Sequence, residues 1–460
     1  MVMARESEIV VVGGGAAGFC AALRAVEHGF SVIVLEKTDE IGGSSAKSGG
    51  CLAFAGTDIQ KANNIDDGPE LLERDLIEVG KGANDPDLVR AYVDAQHDTY
   101  EWLKSAGVTF SPVVEAASGQ SAKRAHNVDP ADMVRVLRNR AVETGKCEVV
   151  FNTRAGRLVV DDTTGRVAGV VTDDGLEYLA SRAVLLASGG FAWDAGLLKT
   201  FSPAYEHALI VSGKGNEGDG LRMAWKLGAD LRDMAYIKGT FGKHPFDETN
   251  DHSLQAVYKG AIAVNEKGNR FVDESISYKL LGDAVMAQSN HVSYQILDQA
   301  IFDTGDNRVR IMDFERRLEE GLFYVADSLE GLAAQLEIDP SVLKATIDRY
   351  NSDVAAGQDK AFGRSNLVHH HGALRPIETP PFYAYPSTAV VFGTYCGLRI
   401  DPSTRVIDVF GEPIPGLYAV GEVTGGFHGA AYMTGSALGK AVVFGRIFAD
   451  RLTADEGSRA

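Results

Sequence analysis

The first clear pattern in the chain is a short apolar run, Ile9-Val10-Val11-Val12, between charged residues and a glycine-rich stretch. Beyond the glycines, apolar residues recur at helical spacing as far as His28, and Gly29 can end that helix. Residues 31–35 form a second buried-strand pattern that ends at Glu36. Together these predict a βαβ unit. Helical spacing returns over residues 69–105 and 129–145, and residues 158–171 and 176–186 alternate as strands around a turn at 161–166. The texture changes near residue 236. Residues 261–264 and 270–273 predict a hairpin around Glu266-Lys267-Gly268-Asn269. Two helices are expected within 326–356, with Ser328 capping the first and Asp339-Pro340 opening the second. Residues 361–386, rich in His, Pro and Gly, suit a connector. Residues 398–407 and 417–420 return to strand, and 436–452 form a closing helix.

The expected organisation is therefore discontinuous. Residues 1–236 and 386–460 form one domain, and 237–385 form a domain inserted into it. A chain of 460 residues is too long for one core, which agrees. The net charge of −18 argues against nucleic acid and anionic membrane surfaces as partners. No apolar run approaches the roughly 20 residues that span a bilayer, and the charged residues before Ile9 do not suit a signal peptide. The cytoplasm is the expected compartment. Cys20, Cys51, Cys147 and Cys396 lie far apart without a CxxC pair, so neither a disulfide framework nor a metal or iron–sulfur site is expected. His369-His370-His371 suits a solvated loop, and His126 a structural polar contact.

The chemistry starts at Gly13-x-Gly15-x-x-Gly18, placed between strand and helix as a dinucleotide fingerprint requires. Its glycines let a pyrophosphate approach backbone amides at the helix N-terminus, and Glu36, at a strand end, can accept from ribose hydroxyls. NAD and FAD share this signal, so other segments must separate them. Four segments do. Gly42-Gly43-Ser44-Ser45-Ala46-Lys47-Ser48-Gly49-Gly50, Ala187-Ser188-Gly189-Gly190, residues 416–426 around Gly421-Glu422, and Gly435-Ser436-Ala437-Leu438-Gly439-Lys440-Ala441 resemble the superfamily of fumarate reductases, succinate dehydrogenase flavoprotein subunits and 3-ketosteroid dehydrogenases. The resemblance covers nearly the whole chain. It implies an α/β fold, a Rossmann-like FAD-binding domain of the glutathione-reductase type carrying an inserted α+β capping domain. It also implies FAD, held noncovalently because no attachment signal is present. The implied cofactor contacts are Gly13, Gly15, Ala16, Ala17, Gly18, Glu36, Lys37, Gly43, Ser44, Ser45, Ser48, Gly49, Gly50, Ala187, Ser188, Gly189, Gly190, Asp219, Gly421, Glu422, Ser436, Ala437 and Leu438.

The same resemblance marks departures from the fumarate reductases. Their proton-donating arginine follows an Arg-Phe-Val-x-Glu run; here Arg270-Phe271-Val272-Asp273-Glu274 leads to Tyr278. Tyr432 occupies the place of a second arginine that clamps a carboxylate, and residues 391–397 replace a histidine-bearing run. Without bidentate arginines, two carboxylates lose their means of recognition. The replacements resemble 3-ketosteroid dehydrogenases. Tyr432-Met433-Thr434-Gly435 matches a Tyr-x-Ser-Gly stretch with Thr for Ser, and 393–398 matches Gly-Thr-x-Gly-Gly-Leu except at Cys396.

That branch implies desaturation of a cyclic ketone, a 3-ketosteroid or an oxocyclohexane type, by α-proton abstraction and hydride transfer to flavin N5. Tyr278 is the expected base and Tyr432 the carbonyl donor, with Thr434 or the Gly435 N–H assisting. A phenol of ordinary pKa about 10 is a poor base at neutral pH and needs help. Electrons would pass to a quinone, another flavoprotein or oxygen. One alternative is an enoate reductase acting on a non-dicarboxylate acid, for which Arg270 or Arg399 would have to serve as clamp. The other is a non-catalytic flavoprotein electron carrier.

Overall fold

The computed structural model describes residues 4–206, 208–237, 239–246, 252–368 and 371–457. It separates into two compact units, one of Met1–Glu206, Ser212–Ile237 and Gly393–Ala460, the other of His207–Val211 and Lys238–Phe392. The first boundary falls where the sequence texture changes. The second lies at Gly393 instead of 386, because Phe382–Val391 is one unbroken, wholly buried strand of the inserted unit. Residues 382–386 are thus strand as well, not connector.

In the first unit the described residues form an eight-stranded sheet around Arg5–Val12. That strand pairs in parallel with Val32–Leu35 on one side and Glu177–Leu186 on the other. Beyond them lie Cys147–Val150, also parallel, and Pro413–Ala419, which brings the C-terminal segment back into the sheet. Isoleucine and valine fill 9–12 because both faces of this strand are covered, and all four are buried. The helix Ala16–Glu27 buries ten of its twelve residues, which a helix with one solvent face would not do. The closing helix Ser436–Gly457 packs on it; Gly445 admits the Ala17 carbonyl closely.

The helical stretch expected over 69–105 is two helices, Pro69–Val79 and Pro86–Ser105. The second starts afresh because Asp85 caps it and Pro86 takes the first position, whose N–H would go unused. Asp129-Pro130 and Asp339-Pro340 open two further helices in the same way. Each such cap contributes about 1 kcal/mol.

The inserted unit is built on Phe382–Val391, flanked by antiparallel Ser293–Asp298, Thr240–Lys243 and Tyr324–Ala326 and by parallel Leu209–Ile210. The hairpin expected at 261–273 does not form. Ile262–Val264 pairs with Ser293–Asp298 instead, and only Arg270 touches it, through a single bridge. The turn itself is made, Asn265 N–H donating to the Asn269 carbonyl at 2.9 Å, and the Arg270 guanidinium beyond it is buried in ion pairs with Glu274 and Asp359. Leu329–Gln335 and Pro340–Ala355 are the two helices expected within 326–356. Residues 398–407 are two short strands, Gly397–Leu398 and Arg405–Ile407, around a turn at Asp401 and Thr404. Among the described residues no helix is long and apolar enough to cross a membrane.

Candidate active site

The strand ending at Val12 delivers Gly13 into a left-handed conformation, φ 112°, hard against the Ala187 carbonyl. Any side chain there would strike that carbonyl, so the first glycine is fixed by the second nucleotide segment. Gly14 N–H donates to Glu36 Oε2 at 2.9 Å, and Thr38 donates its N–H and hydroxyl to the other carboxylate oxygen, both at 2.9 Å. Ala16 N–H donates to Ser45 Oγ at 3.3 Å, and Gly42 N–H to the Gly14 carbonyl, which ties the 42–50 loop to the fingerprint. Within that loop Ser48 Oγ accepts from Gly50 N–H. Lys37 and Asp219 are held by one another at 2.7 Å, with Glu217 and Arg154 completing the group.

Further along, Glu422 sits in the turn Gly421–Val423 and accepts from Thr394 N–H at 2.9 Å and from Asn216 Nδ2 at 3.0 and 3.1 Å. Desolvation pushes its carboxyl up despite these donors. Asn216 also reaches Ser44 Oγ, at 3.3 Å, so four distant segments converge. Three buried hydroxyls in these segments, Ser188 Oγ, Ser212 Oγ and Thr394 Oγ1, have no hydrogen-bond partner. Leaving each so costs about 1–3 kcal/mol. The phosphates and ribityl hydroxyls of FAD are partners of the right kind, and the residues fit the group.

A turn leads from this cradle into the closing helix. Gly435 adopts φ 88° because a side chain would lie 2.8 Å from Ala53 N and 2.9 Å from Cys51 Sγ. Its N–H donates to the Tyr432 phenol oxygen at 3.0 Å. The Tyr432 ring lies 4.9 Å from that of Tyr395 and 5.5 Å from His428. Tyr395 holds a left-handed φ of 55°, a costly backbone for a bulky residue of the kind that gathers at functional sites. Thr434 is clamped at both backbone groups, its N–H donating to Ser118 O and its carbonyl accepting from Gln120 Nε2. Its hydroxyl is buried without a partner and so does not cap the helix. Lys440, one turn into the helix, is buried and donates to the Thr424 carbonyl at 3.0 Å. Burial pushes its ammonium down to about 8 even though Glu422 and Asp233 are near.

In the inserted unit, Tyr278 is the first residue of the helix Tyr278–Met286, after the Ser277 cap. The buried Lys279 ammonium lies 5.1 Å over its ring. Arg270, 5% exposed, is bound by Glu274 at 2.6 Å and Asp359 at 2.9 Å and sits between the rings of Tyr350 and Phe362. A carboxylate substrate cannot recruit it. Arg399 pairs with Asp230 at 3.3 Å. His126 bonds Thr57 Oγ1 and the Arg124 carbonyl, a buried structural contact. His369 and His370 lie outside the described residues, among which no cluster of His, Cys, Asp or Glu suits a metal.

A family model described as an FAD binding domain matches residues 8–438. The chain belongs to this FAD-binding family. The flavoprotein is 34% identical to a fumarate reductase (cytochrome) of Shewanella frigidimarina, over 96% of this chain and 76% of the relative. It is 30% identical to a vinyl phenol reductase of Lactiplantibacillus plantarum, over 95% of this chain and 94% of the relative. Its backbone is similar to 3-ketosteroid-Δ4-(5α)-dehydrogenase of Rhodococcus jostii, solved with 4-androstene-3,17-dione: TM-score 0.80, 26% identity, 98% of this chain and 97% of that one. The chain is an FAD-dependent oxidoreductase of the fumarate reductase family, acting on carbon–carbon bonds. The ketosteroid-dehydrogenase branch expected from its tyrosines is one of several to which likeness extends.

Glycine spacing and segment resemblance pointed to the segments that meet here, Lys440 among them, but not to Asn216, Ser118 or Gln120. Asn216 lies in a glycine-rich loop with no periodicity, and Ser118 and Gln120 stand 314 residues or more from Thr434. Tyr395 had a signal, its place beside Thr394 in a family-like run.

Proposed function

We propose that this flavoprotein interconverts a cyclic ketone and its α,β-enone, binding the substrate carbonyl through hydroxyls where its dicarboxylate-reducing relatives would use arginine. The carrying observation is the Tyr432 phenol. Its oxygen already accepts from Gly435 N–H, which polarises its own O–H toward donation. A substrate carbonyl that accepts from Tyr432, with the Thr434 hydroxyl as second donor, gains acidity at its α carbon. Tyr278 then takes the α proton. Its place at a helix N-terminus, with the Lys279 ammonium over its ring, favours negative charge developing on the phenol. The Glu36, Ser45, Ala187–Gly190 and Glu422 segments would hold FAD noncovalently, and bound there it would supply the two-electron chemistry for the β hydrogen. Electrons leave to a quinone, a second flavoprotein or oxygen.

The reductive direction is the second reading, favoured by likeness to reductases of fumarate and vinyl phenol. Here Tyr278 returns a proton to the α carbon of an unsaturated substrate lacking two carboxylates. One experiment separates these. Anaerobic protein is mixed with cyclohexanone, a saturated 3-ketosteroid, fumarate, cyclohex-2-enone, 4-androstene-3,17-dione and 4-vinylphenol, and flavin absorbance is followed from the oxidised and the dithionite-reduced states. Bleaching by a saturated ketone supports desaturation. Reoxidation by an enone or vinyl phenol alone supports reduction. Rapid reoxidation by fumarate would overturn the roles given to Tyr278 and Tyr432, and no response to any member would leave an electron carrier.

A further inference from the structure

We propose that Ser118 is a further substrate-binding residue, its hydroxyl joining that of Thr434 to hold the substrate's polar oxygen. The inference rests on the function proposed above for the Tyr432–Gly435 turn. Ser118 is fully buried, and its Oγ has no hydrogen-bond partner; the Thr434 Oγ1 is buried and in the same condition. The two residues are adjacent, because Thr434 N–H donates to the Ser118 carbonyl at 2.9 Å. Two unsatisfied buried hydroxyls on neighbouring residues are rare in a native core, where such groups almost always find partners. They point to a ligand that brings an acceptor.

The surroundings are built to hold this pair still. Gln120 Nε2 donates to the Thr434 carbonyl at 2.8 Å, while Gln120 Oε1 accepts from Arg124 N–H at 3.1 Å. The Arg124 guanidinium is locked by Asp67 and Asp75, all three fully buried or nearly so. Asp75 accepts in turn from the Ser121 N–H and hydroxyl, both at 2.8 Å. Residues 118–124 are thus anchored from behind and grip Thr434 in front. Nothing in that anchoring uses the Ser118 hydroxyl; an alanine would leave every bond named here intact. Gln120 is a positioning residue, and Ser118 carries a donor with no structural duty.

The test uses Ser118→Ala, Thr434→Ala, the double variant and Ser118→Cys in the FAD-loaded protein. Each is titrated with cyclohexanone, a saturated 3-ketosteroid, cyclohex-2-enone, 4-androstene-3,17-dione and 4-vinylphenol, the panel of the proposed function without fumarate, while the flavin spectrum is followed. Ser118→Ala should keep its FAD content and its Tm, or gain slightly in Tm, since it deletes an unsatisfied buried group. Its Kd for the responding probe should rise about tenfold, as loss of one hydrogen bond to ligand implies. The double variant should lose less than the product of the single losses, because both hydroxyls serve one oxygen. Ser118→Cys keeps the shape with a weaker donor and should fall between. An unchanged Kd in Ser118→Ala and Ser118→Cys overturns this inference alone, and so does a lowered Tm with unchanged Kd. A wild-type flavin that answers to no member of that panel overturns the proposed function and this inference together.

Discussion

Two buried arginine clusters, one in each unit, stand behind the two tyrosines given chemical roles, and they are built differently. Arg124 faces two carboxylates alone, Asp67 and Asp75, with amide and hydroxyl donors from Gln60 and Ser121 making up the difference. Arg270 and Arg364 share Glu274, and Asp359 completes the set, two cations against two anions. The first cluster steadies the loop that grips Thr434; the second fixes the turn that leads to Tyr278. A surplus of acceptors suits a loop that must be pinned through many backbone groups. A balanced quartet suits a turn whose one task is to start a helix at a set point. In both, the arginine is held by carboxylates of its own unit.

Experiments can break this comparison, beginning with the tyrosines themselves. Tyr278→Phe should retain FAD and fold, yet ketone-dependent flavin reduction should fall by roughly 10²–10⁴, the range for a lost general base. Tyr432→Phe should cost about 10²–10³ in kcat, as for an oxyanion-hole donor. The losses should not multiply, since both groups act on one transition state. Stopped-flow reduction of each variant and the pair decides it, and a wild-type rate in Tyr278→Phe would leave that residue to packing.

The clusters come next. Arg124→Met strands two buried carboxylates and should destabilise by about 3–5 kcal/mol, the cost of breaking a buried pair from one side. Arg270→Met should cost less, because Arg364 still faces Glu274. Urea midpoints for the two variants measure the gap; an equal or larger loss at 270 would deny that charge balance distinguishes the clusters.

The smallest effect is a pH dependence. Burial holds Lys440 down to about 8 in the folded chain against an ordinary value near 10.5. Its contribution is therefore present above 10.5 and lost as pH falls through about 8, since the unfolded chain binds the extra proton in between. Wild type should gain Tm relative to Lys440→Met between pH 8 and 10. A flat difference would mean Lys440 keeps its charge through that range.

What the sequence disclosed of all this follows range. The βαβ start, the closing helix and the Asp339-Pro340 helix opening are local patterns and were legible, whereas the equally local Asp85-Pro86 opening was lost inside one long helical stretch. Residues 382–386 were assigned to a connector on the His, Pro and Gly content of 361–386, yet they begin a strand, and Pro386, which lacks an N–H, lies within it. It is tolerated opposite Tyr294 in a ten-residue buried strand whose other pairings persist. The hairpin at 261–273 stops at its turn and one bridge, Val264 to Arg270, because alternation says nothing of Ser293–Asp298, the distant strand that takes Ile262–Val264. The motif segments of the cradle were readable, whereas Ser118, Gln120 and Asn216 gain meaning only from partners far off in the chain. Their bonds are tertiary, and no spacing announces them.

The meeting of segments at Glu422 also sets an order in time. Its carboxylate is satisfied by Thr394 and Asn216, and Asn216 reaches on to the loop beside the fingerprint. The fingerprint leaves the ribosome some four hundred residues before Glu422 is made. Until then Glu177–Leu186 lacks the neighbour that returns at Pro413–Ala419, and the seat for the cofactor has no floor. Nascent chains therefore should not capture FAD, however early the glycines emerge. Loading belongs to the finished polypeptide, and a cell short of flavin would accumulate complete chains whose late-arriving segment has nothing to close upon.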